Sequence, residues 1–337
     1  VEQELTMDGL AAKVTIKQWR DGAEVTPPEF RAALADLRDA STMIWIDLAD
    51  PTVDELAEVG KCAGLNAHAM EDALTLTQRP KVTRHTEHTF LTMAGTEFAA
   101  TDRGTDRLVL RHVSAFVFPG GLLTVRPGGA FDMTPVVQTW QDNVDLLRYG
   151  VGALVHGLLD VVVDGHFDTL QEMDDSAEQL EDVLFERGQG RQVHQEVYRL
   201  RRDLVALRRA VLPMREVVNA VQRHRSEAQL NPELDDYFED LYDHVVRVTE
   251  WTESLRDMVT AIFETNLSLQ DARLNQVMKK LAGWAAVIAV PTAVTGWFGQ
   301  NVPFPGAGEP LGLVFSIGLI LVGSIGMWAL LKKFDWI

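Results

Sequence analysis

Two long charge-free apolar runs near the C-terminal end constrain this 337-residue chain more than any other feature. Leu281 to Phe298 reads LAGWAAVIAVPTAVTGWF and Leu311 to Leu331 reads LGLVFSIGLILVGSIGMWALL, with no Asp, Glu, Lys or Arg in either. Each is close to the roughly 20 residues a helix needs to cross a hydrocarbon core of about 30 Å. Both are rich in small residues and carry Trp near an end, as helices in lipid do. A buried hairpin in a soluble core is the competing explanation, but two such runs back to back are rare there. The chain is therefore expected to place two transmembrane helices, 281–298 and 311–331, around a short loop, 299–310.

The flanks set an expected orientation. Lys279 and Lys280 precede the first run, and Lys332 and Lys333 follow the second. The loop between has no Lys or Arg and a single acid, Glu309. By the positive-inside rule both ends face the cytoplasm, the loop lies outside, and 332–337 forms a basic cytoplasmic tail. The opening residues, VEQEL, lack the basic and apolar regions of a signal peptide, so targeting is expected to come from the later runs.

Composition narrows the partners. Forty-nine acidic against 31 basic residues give a formal net charge of −18. Such a chain repels phosphate backbones, which argues against nucleic acid and suits cations. Cys62 is the sole cysteine, so no intrachain disulfide or cysteine-rich zinc module is available.

Two helices cannot enclose an ion path, so a pore would need several copies of the chain. Steps of four and three along the first run and its approach pick out one stripe. It comprises Glu264, Ser268, Asp271, Asn275, Met278, Ala282, Ala285, Ala289, Thr292, Gly296 and Gly299, all small or polar except Met278. Small residues on one face serve either close helix packing or a pore wall. The carboxylates and Asn275 favour the second, because rings of oxygen suit hard divalent cations. Pro291 is expected to disturb the helix one turn earlier.

The remaining sequence divides in two. Apolar, β-branched runs at Val14–Trp19, Met43–Leu48, Thr89–Met93, Leu108–Phe118 and Leu122–Val125 predict strands. Pro28–Arg38, Thr52–Ala63 and Ala67–Leu76 predict helices, the second opening at Asp50-Pro51-Thr52. Together they suggest an α/β domain over 1–130. Beyond Thr134 the pattern is helical almost without a break, with long helices at Gly152–Arg187 and Arg191–Gln222 in a helical region, 131–230. Asn231-Pro232-Glu233 predicts a capped helix start. With no breaker before Pro291, one helix of roughly 65 residues would span about 100 Å and form a stalk, 231–280, running into the membrane.

Several stretches, taken in order, resemble the CorA family of magnesium and related divalent-cation channels: WIDLADPTVDEL at 45–56, MEDALTLTQRPKV at 70–82, LRRAVLPMREVVNAV at 207–221, YFEDLYDH at 237–244, NQVMKKL at 275–281 and the closing KKFDWI. The family's Gly-Met-Asn signature corresponds here to Gly299-Gln300-Asn301. The resemblance implies an α+β cytoplasmic funnel domain, a long stalk helix, two C-terminal transmembrane helices and a homopentameric channel in the cell membrane. It implies that Gly299, Gln300 and Asn301 form the outer selectivity ring, and that Thr292 and Asn275 are polar pore positions. It further implies a hydrophobic gate at Met278 and Leu281 and an inner-mouth acid at Glu264. Regulatory cation sites map onto Glu71, Asp72 and Asp240, with Asp164 and Asp243 as further candidates. Mg²⁺ is the implied cargo and regulator, with Co²⁺ and Ni²⁺ beside it, and no organic cofactor is implied.

Two departures separate this chain from the pattern. Gln300 replaces the usual Met, where the zinc-transporting branch carries Val, and Ala289 stands where many members have a bulky pore residue. A zinc or other transition-metal transporter of the same fold, proton-coupled or not, is therefore the alternative. A non-conducting membrane scaffold or sensor is a third. The sequence contains no Walker A loop, no GxGxxG and no recognisable catalytic triad, so neither ATP-driven pumping nor an enzyme is expected. His85 and His88 flank Glu87 at the entry to a strand, where an i, i+3 pair should not share a face, and are set aside as a metal site.

Overall fold

Strand β3 shows how the sequence builds this fold. Met43–Ala49 reads MIWIDLA and is buried on both faces, so it carries apolar residues continuously rather than in alternation. A computed structural model describes residues 12–20, 22–100, 106–184, 190–228, 230–300 and 309–337. Its strands are β1 (Lys13–Arg20), β2 (Ala23–Val25), β3, β4 (Lys81–Arg84), β5 (Thr89–Ala100), β6 (Asp106–Val117) and β7 (Gly121–Arg126). The order across the sheet is β2-β1-β3-β7-β6-β5-β4. β3 pairs with β7 in parallel, Ile46 opposite Leu123, and the other neighbours are antiparallel.

Helices α1 (Phe30–Asp36), α2 (Val53–Ala63) and α3 (Ala67–Leu74) cover one face. Phe30, Leu34, Leu56 and Val59 meet Ile44, Ile46, Phe90 and Phe116 there in one apolar core. The expected start of α2 is present as a capping box: Glu55 N–H donates to Thr52 Oγ1 (3.3 Å), and Thr52 N–H to Glu55 Oε2 (2.7 Å). Gly64 ends the helix at φ 68°, a left-handed conformation that only glycine adopts cheaply.

The opposite face packs on α4 (Thr134–Asp142), α5 (Val144–Leu147) and α6 (Val151–Leu184). Trp140 stands edge-on to Trp45 (5.0 Å between centroids) and Trp19 (5.9 Å). Trp45 Nε1 donates to Thr124 Oγ1, which donates to the buried Asp47 carboxylate, and Arg126 pairs with Asp47 at 2.6 Å. Removing the fully buried Trp140 side chain would cost about 3–5 kcal/mol. Before the long helix, the helical pattern after Thr134 breaks at Asn143 and at Gly150, whose φ of 78° closes a turn.

Three long helices complete the chain: α7 (Gly190–Glu227), α8 (Asp235–Phe298) and α9 (Pro310–Lys333). The helix expected at Gly152–Arg187 is described to Leu184, and residues 185–187 lie outside the described set. α8 runs 64 residues and passes through Pro291 without ending, as α7 passes through Pro213. One local expectation is corrected. Asn231, Pro232 and Glu233 do open a helical turn, but at φ 27° the Asn231 side chain makes no cap, and its amide donates to the Tyr149 carbonyl instead. A short 3₁₀ turn, Pro232–Leu234, leads into α8. β2 and β4, both short and at the sheet edges, are additions to the sequence reading.

The chain divides into two compact units, Val1–Glu186 with Gln195–Thr260, and Arg187–His194 with Ala261–Ile337. The first holds the sheet; the second holds both apolar runs.

Candidate ion path and metal-binding cluster

Every member of the small and polar stripe, from Glu264 to Gly299, is exposed in the single chain. Exposure alone does not single it out, because Trp284 and Ile288 are exposed as well. The position of α9 does. α9 and the residues after it approach α8 at Gly283, where an added Cβ would meet Ile337 and the Trp336 carbonyl; at Val290, which lies over Gly323; and at Phe298, 6.5 Å from Phe315. At about 100° per residue, Gly283 and Val290 point some 100–160° away from Ala285, Ala289 and Gly296. The second apolar helix thus covers the back of the first and leaves the stripe free.

The expected pore residues lie along this free face. Glu264 and Asn275 are exposed, and the gate candidates Met278 and Leu281 are 66% and 72% exposed. Thr292 donates its hydroxyl to the Ile288 carbonyl one turn back, so its oxygen lone pairs remain available on the helix surface. Gly299 N–H donates to Thr295 O and Gln300 N–H to Trp297 O, which winds the chain one step past the end of α8. Asn301 lies outside the described residues. Glu309 immediately precedes α9 and makes no side-chain cap.

Both α8 and α9 contain segments long and apolar enough to cross a membrane. In the relevant windows 6% of the α8 residues and none of the α9 residues are buried. A soluble core helix would be buried, so exposure on this scale is what lipid or neighbouring subunits would have to cover.

The regulatory candidates distribute unequally. Glu71 is exposed on α3, but Asp72 is already engaged: Lys81 Nζ lies 2.6 Å from Oδ2, and Gln78 donates to Oδ1. Asp164 forms part of a cluster with Asp160 and His244, whose ligand atoms all lie within 4.8 Å of one another. Asp240 stands beside it, 3.7 Å from His244 Nε2. Asp243, one residue earlier than His244, is exposed and outside the cluster. Burial first, then the charge of Asp160, raises the Asp164 carboxyl above the usual carboxylate range.

Asp160 and His244 are the residues that sequence reasoning missed. Each stands four residues from a candidate it did name, Asp164 and Asp240, which places each pair on one helix face. Two carboxylates and an imidazole make a mixed oxygen and nitrogen donor set. Oxygen suits Mg²⁺, whereas the imidazole extends the set toward Co²⁺, Ni²⁺ and Zn²⁺.

For the histidines set aside from the sequence, only the expectation that they would face apart is corrected. His85 and His88 occupy the turn between β4 and β5, where His85 N–H donates to the His88 carbonyl. The turn folds their rings together, 4.9 Å apart, because strand alternation does not govern a hairpin loop. Their surroundings are taken up below.

The family model for the CorA-like Mg²⁺ transporter protein matches residues 40–333, most of the chain. The chain belongs to the CorA family. Among relatives, it is 28% identical over 305 residues to the cobalt/magnesium transport protein CorA of Thermotoga maritima, covering 89% of this chain and 85% of that protein. It is 25% identical over 307 residues to the zinc transport protein ZntB of Yersinia pestis, covering 88% and 89%. The fold matches the complete structure of the CorA magnesium transporter from Methanocaldococcus jannaschii with a TM-score of 0.72 at 21% identity, over 96% of this chain and 98% of that one. It matches the full-length CmaX structure equally, at 0.72 and 20% identity over 99% and 100%. CorA membership makes this a chain of a transmembrane metal-ion transporter family, and α8 and α9 are its candidate spans.

Proposed function

We propose that this chain assembles as a homopentameric channel in the cell membrane that lets Mg²⁺, and with it Co²⁺ and Ni²⁺, enter the cell down the electrochemical gradient. The observation that carries this reading is the free stripe on α8 opposite the α9 contacts, which in a ring of copies would face a common axis. In this reading residues 281–298 line the pore and 311–331 form the outer ring. The loop 299–310 lies outside the cell and both chain ends lie in the cytoplasm, as the paired lysines favour. Gly299, Gln300 and Asn301 meet the ion at the outer mouth. Carboxamides offer oxygen without a charge that would trap a divalent ion, and Mg²⁺ sheds water reluctantly, so contact through its hydration shell suits such a ring. Met278 and Leu281 narrow the path, and Glu264 collects ions at the inner mouth.

Cytoplasmic cation acts as its own brake in this scheme. Ion bound among Asp160, Asp164 and His244, with Asp240 beside them, and at Glu71 and Asp72 between subunits, stabilises the closed form by mass action. Scarcity removes the ion and lets carboxylate repulsion loosen the ring. An Asp240→Ala variant should then need more Mg²⁺ to resist proteolysis.

A second reading, Zn²⁺ transport with or without proton coupling, draws on the ZntB relatives and on the His244 nitrogen. Liposome flux of Mg²⁺, Co²⁺, Ni²⁺ and Zn²⁺ with and without a pH gradient separates the two. Mg²⁺ flux indifferent to the gradient supports the channel. Zn²⁺ flux that follows the gradient replaces it with the transporter, and no flux of any ion leaves only a scaffold.

A further inference from the structure

Within the sheet-bearing unit, a cavity of about 490 Å³ lies between the β4–β5 turn, the start of α6 and the last turns of α7. Cavities of this size hold small organic ligands. Its walls are largely apolar, among them Val82, Val155 and Phe238. Its polar lining is different in kind. His88 is 4% exposed, yet neither ring nitrogen has a hydrogen-bond partner. His224 Nδ1 and Arg225 Nε are likewise buried without partners. Buried polar groups are nearly always satisfied, so several unpartnered ones lining one space mark it as a place suited to a polar ligand.

Arg225 is held in place rather than loose. Its Nη2 donates to the carbonyls of Leu230 (3.2 Å) and Asn231 (2.9 Å), and its ring-facing side lies 4.7 Å over Phe238. Asp235, at 3.5 Å, balances it only in part, because that carboxylate is half exposed to water while the guanidinium is buried. The lining holds two arginines, Arg84 and Arg225, and one acid, Glu87, whose carboxylate lies 3.7 Å from Arg38. Arg84 lies 3.9 Å from Glu227, a long and exposed contact. In a chain of net charge −18, a cavity with this balance runs against the general composition. Burial, and the neighbouring His85, hold the His88 pKa down to about 4, so its ring is neutral and offers one N–H and one lone pair.

We propose that this cavity binds a small organic oxyanion, a carboxylate or phosphate carried on an apolar body. The oxyanion accepts hydrogen bonds from Arg225 Nε, His88 and His224, and the body lies against Val82, Val155 and Phe238. Water can satisfy the open donors singly, but an anion also answers the buried guanidinium charge.

Calorimetric titration of the full-length protein in lipid nanodiscs tests this with benzoate, phenyl phosphate and the neutral benzyl alcohol. The oxyanions are expected to saturate one site, with benzyl alcohol weaker by about tenfold or more. His88→Phe, which keeps the ring volume, should weaken oxyanion binding by about tenfold. Val155→Trp, which fills the cavity, should abolish it, while both variants keep the wild-type size-exclusion profile and helical circular dichroism as evidence of folding. For a variant that does not fold, the wild-type protein decides through the His88 imidazole resonances, which must shift on adding benzoate. Failure of both oxyanions to saturate in the millimolar range, equal affinity for benzyl alcohol, undiminished binding in Val155→Trp or unmoved His88 resonances would each overturn the assignment.

Discussion

Replacing Asp160 by Asn should make the cation-free protein more stable and remove part of its response to divalent ions. Asp160 and Asp164 stand one turn apart on α6, their ligand atoms within 4.8 Å of each other and of His244. At that distance two unit charges repel by about 3.5 kcal/mol at an effective dielectric of about 20 and by about 1 kcal/mol in bulk water. Asp164 is exposed enough that the lower part of that range applies, so relief of about 1–2 kcal/mol is expected from the substitution. The raised Asp164 carboxyl fixes the sign. A carboxyl whose folded pKa is raised contributes stability below its ordinary pKa and loses it as pH rises through the folded value. A divalent ion bound between the two carboxylates cancels their repulsion. Ion at a hundred times its dissociation constant would add about 2.7 kcal/mol. The assay is the thermal unfolding midpoint of the full chain in detergent, with chelator or with Mg²⁺, Co²⁺ or Zn²⁺, near neutrality and again at about pH 4. Wild type should show a cation-induced rise that shrinks in acid. Asp160→Asn should start higher and rise less. A variant that starts lower in chelator, or keeps the full cation-induced rise, would refute the reasoning.

Four other outcomes are expected. Lys81→Met frees the Asp72 carboxylate from its 2.6 Å partner and should lower, a few-fold, the Mg²⁺ needed for protection from proteolysis; an unchanged dose response counts against a regulatory Asp72. Asn301→Ala should abolish ion flux in liposomes while leaving assembly by size-exclusion chromatography intact. In a Cys62→Ser background, cysteines at Ala285 or Ala289 should react with a water-soluble thiol reagent and lose flux, whereas cysteine at Val290, over Gly323, should not. Arg126→Met strands the buried Asp47 carboxylate and should cost about 3–5 kcal/mol in a denaturation measurement.

The long elements were legible because their signals are strong and local. Charge-free runs fixed the two apolar segments, and the absence of a breaker after Pro232 anticipated a helix that the structure draws from Asp235 to Phe298. β1, β3 and β7 followed from β-branched and aromatic runs. β2, of sequence AEV, and β4, of sequence KVTR, carry little pattern of their own and exist because β1 and β5 offer them edges to pair with. The Asp160, Asp164 and His244 cluster was half legible. Each helix supplies its own four-residue pair, but no local signal says that α6 and α8 bring those pairs together. His85 and His88 escaped for a related reason, since a turn had to be recognised before their rings could be placed side by side.

The pairing of β3 with β7 has a consequence for how the protein is made. These strands share the centre of the sheet but are separated by two helices and three other strands in the chain, so the sheet closes only after Arg126 has been synthesised. The first charge-free run does not begin until Leu281. At about 5–20 residues per second, ribosomes need roughly 8–30 s to cover that interval. The sheet therefore has time to close before either of the two candidate spans has been made. Its order of synthesis lets an aqueous fold form first and commits the chain to lipid last.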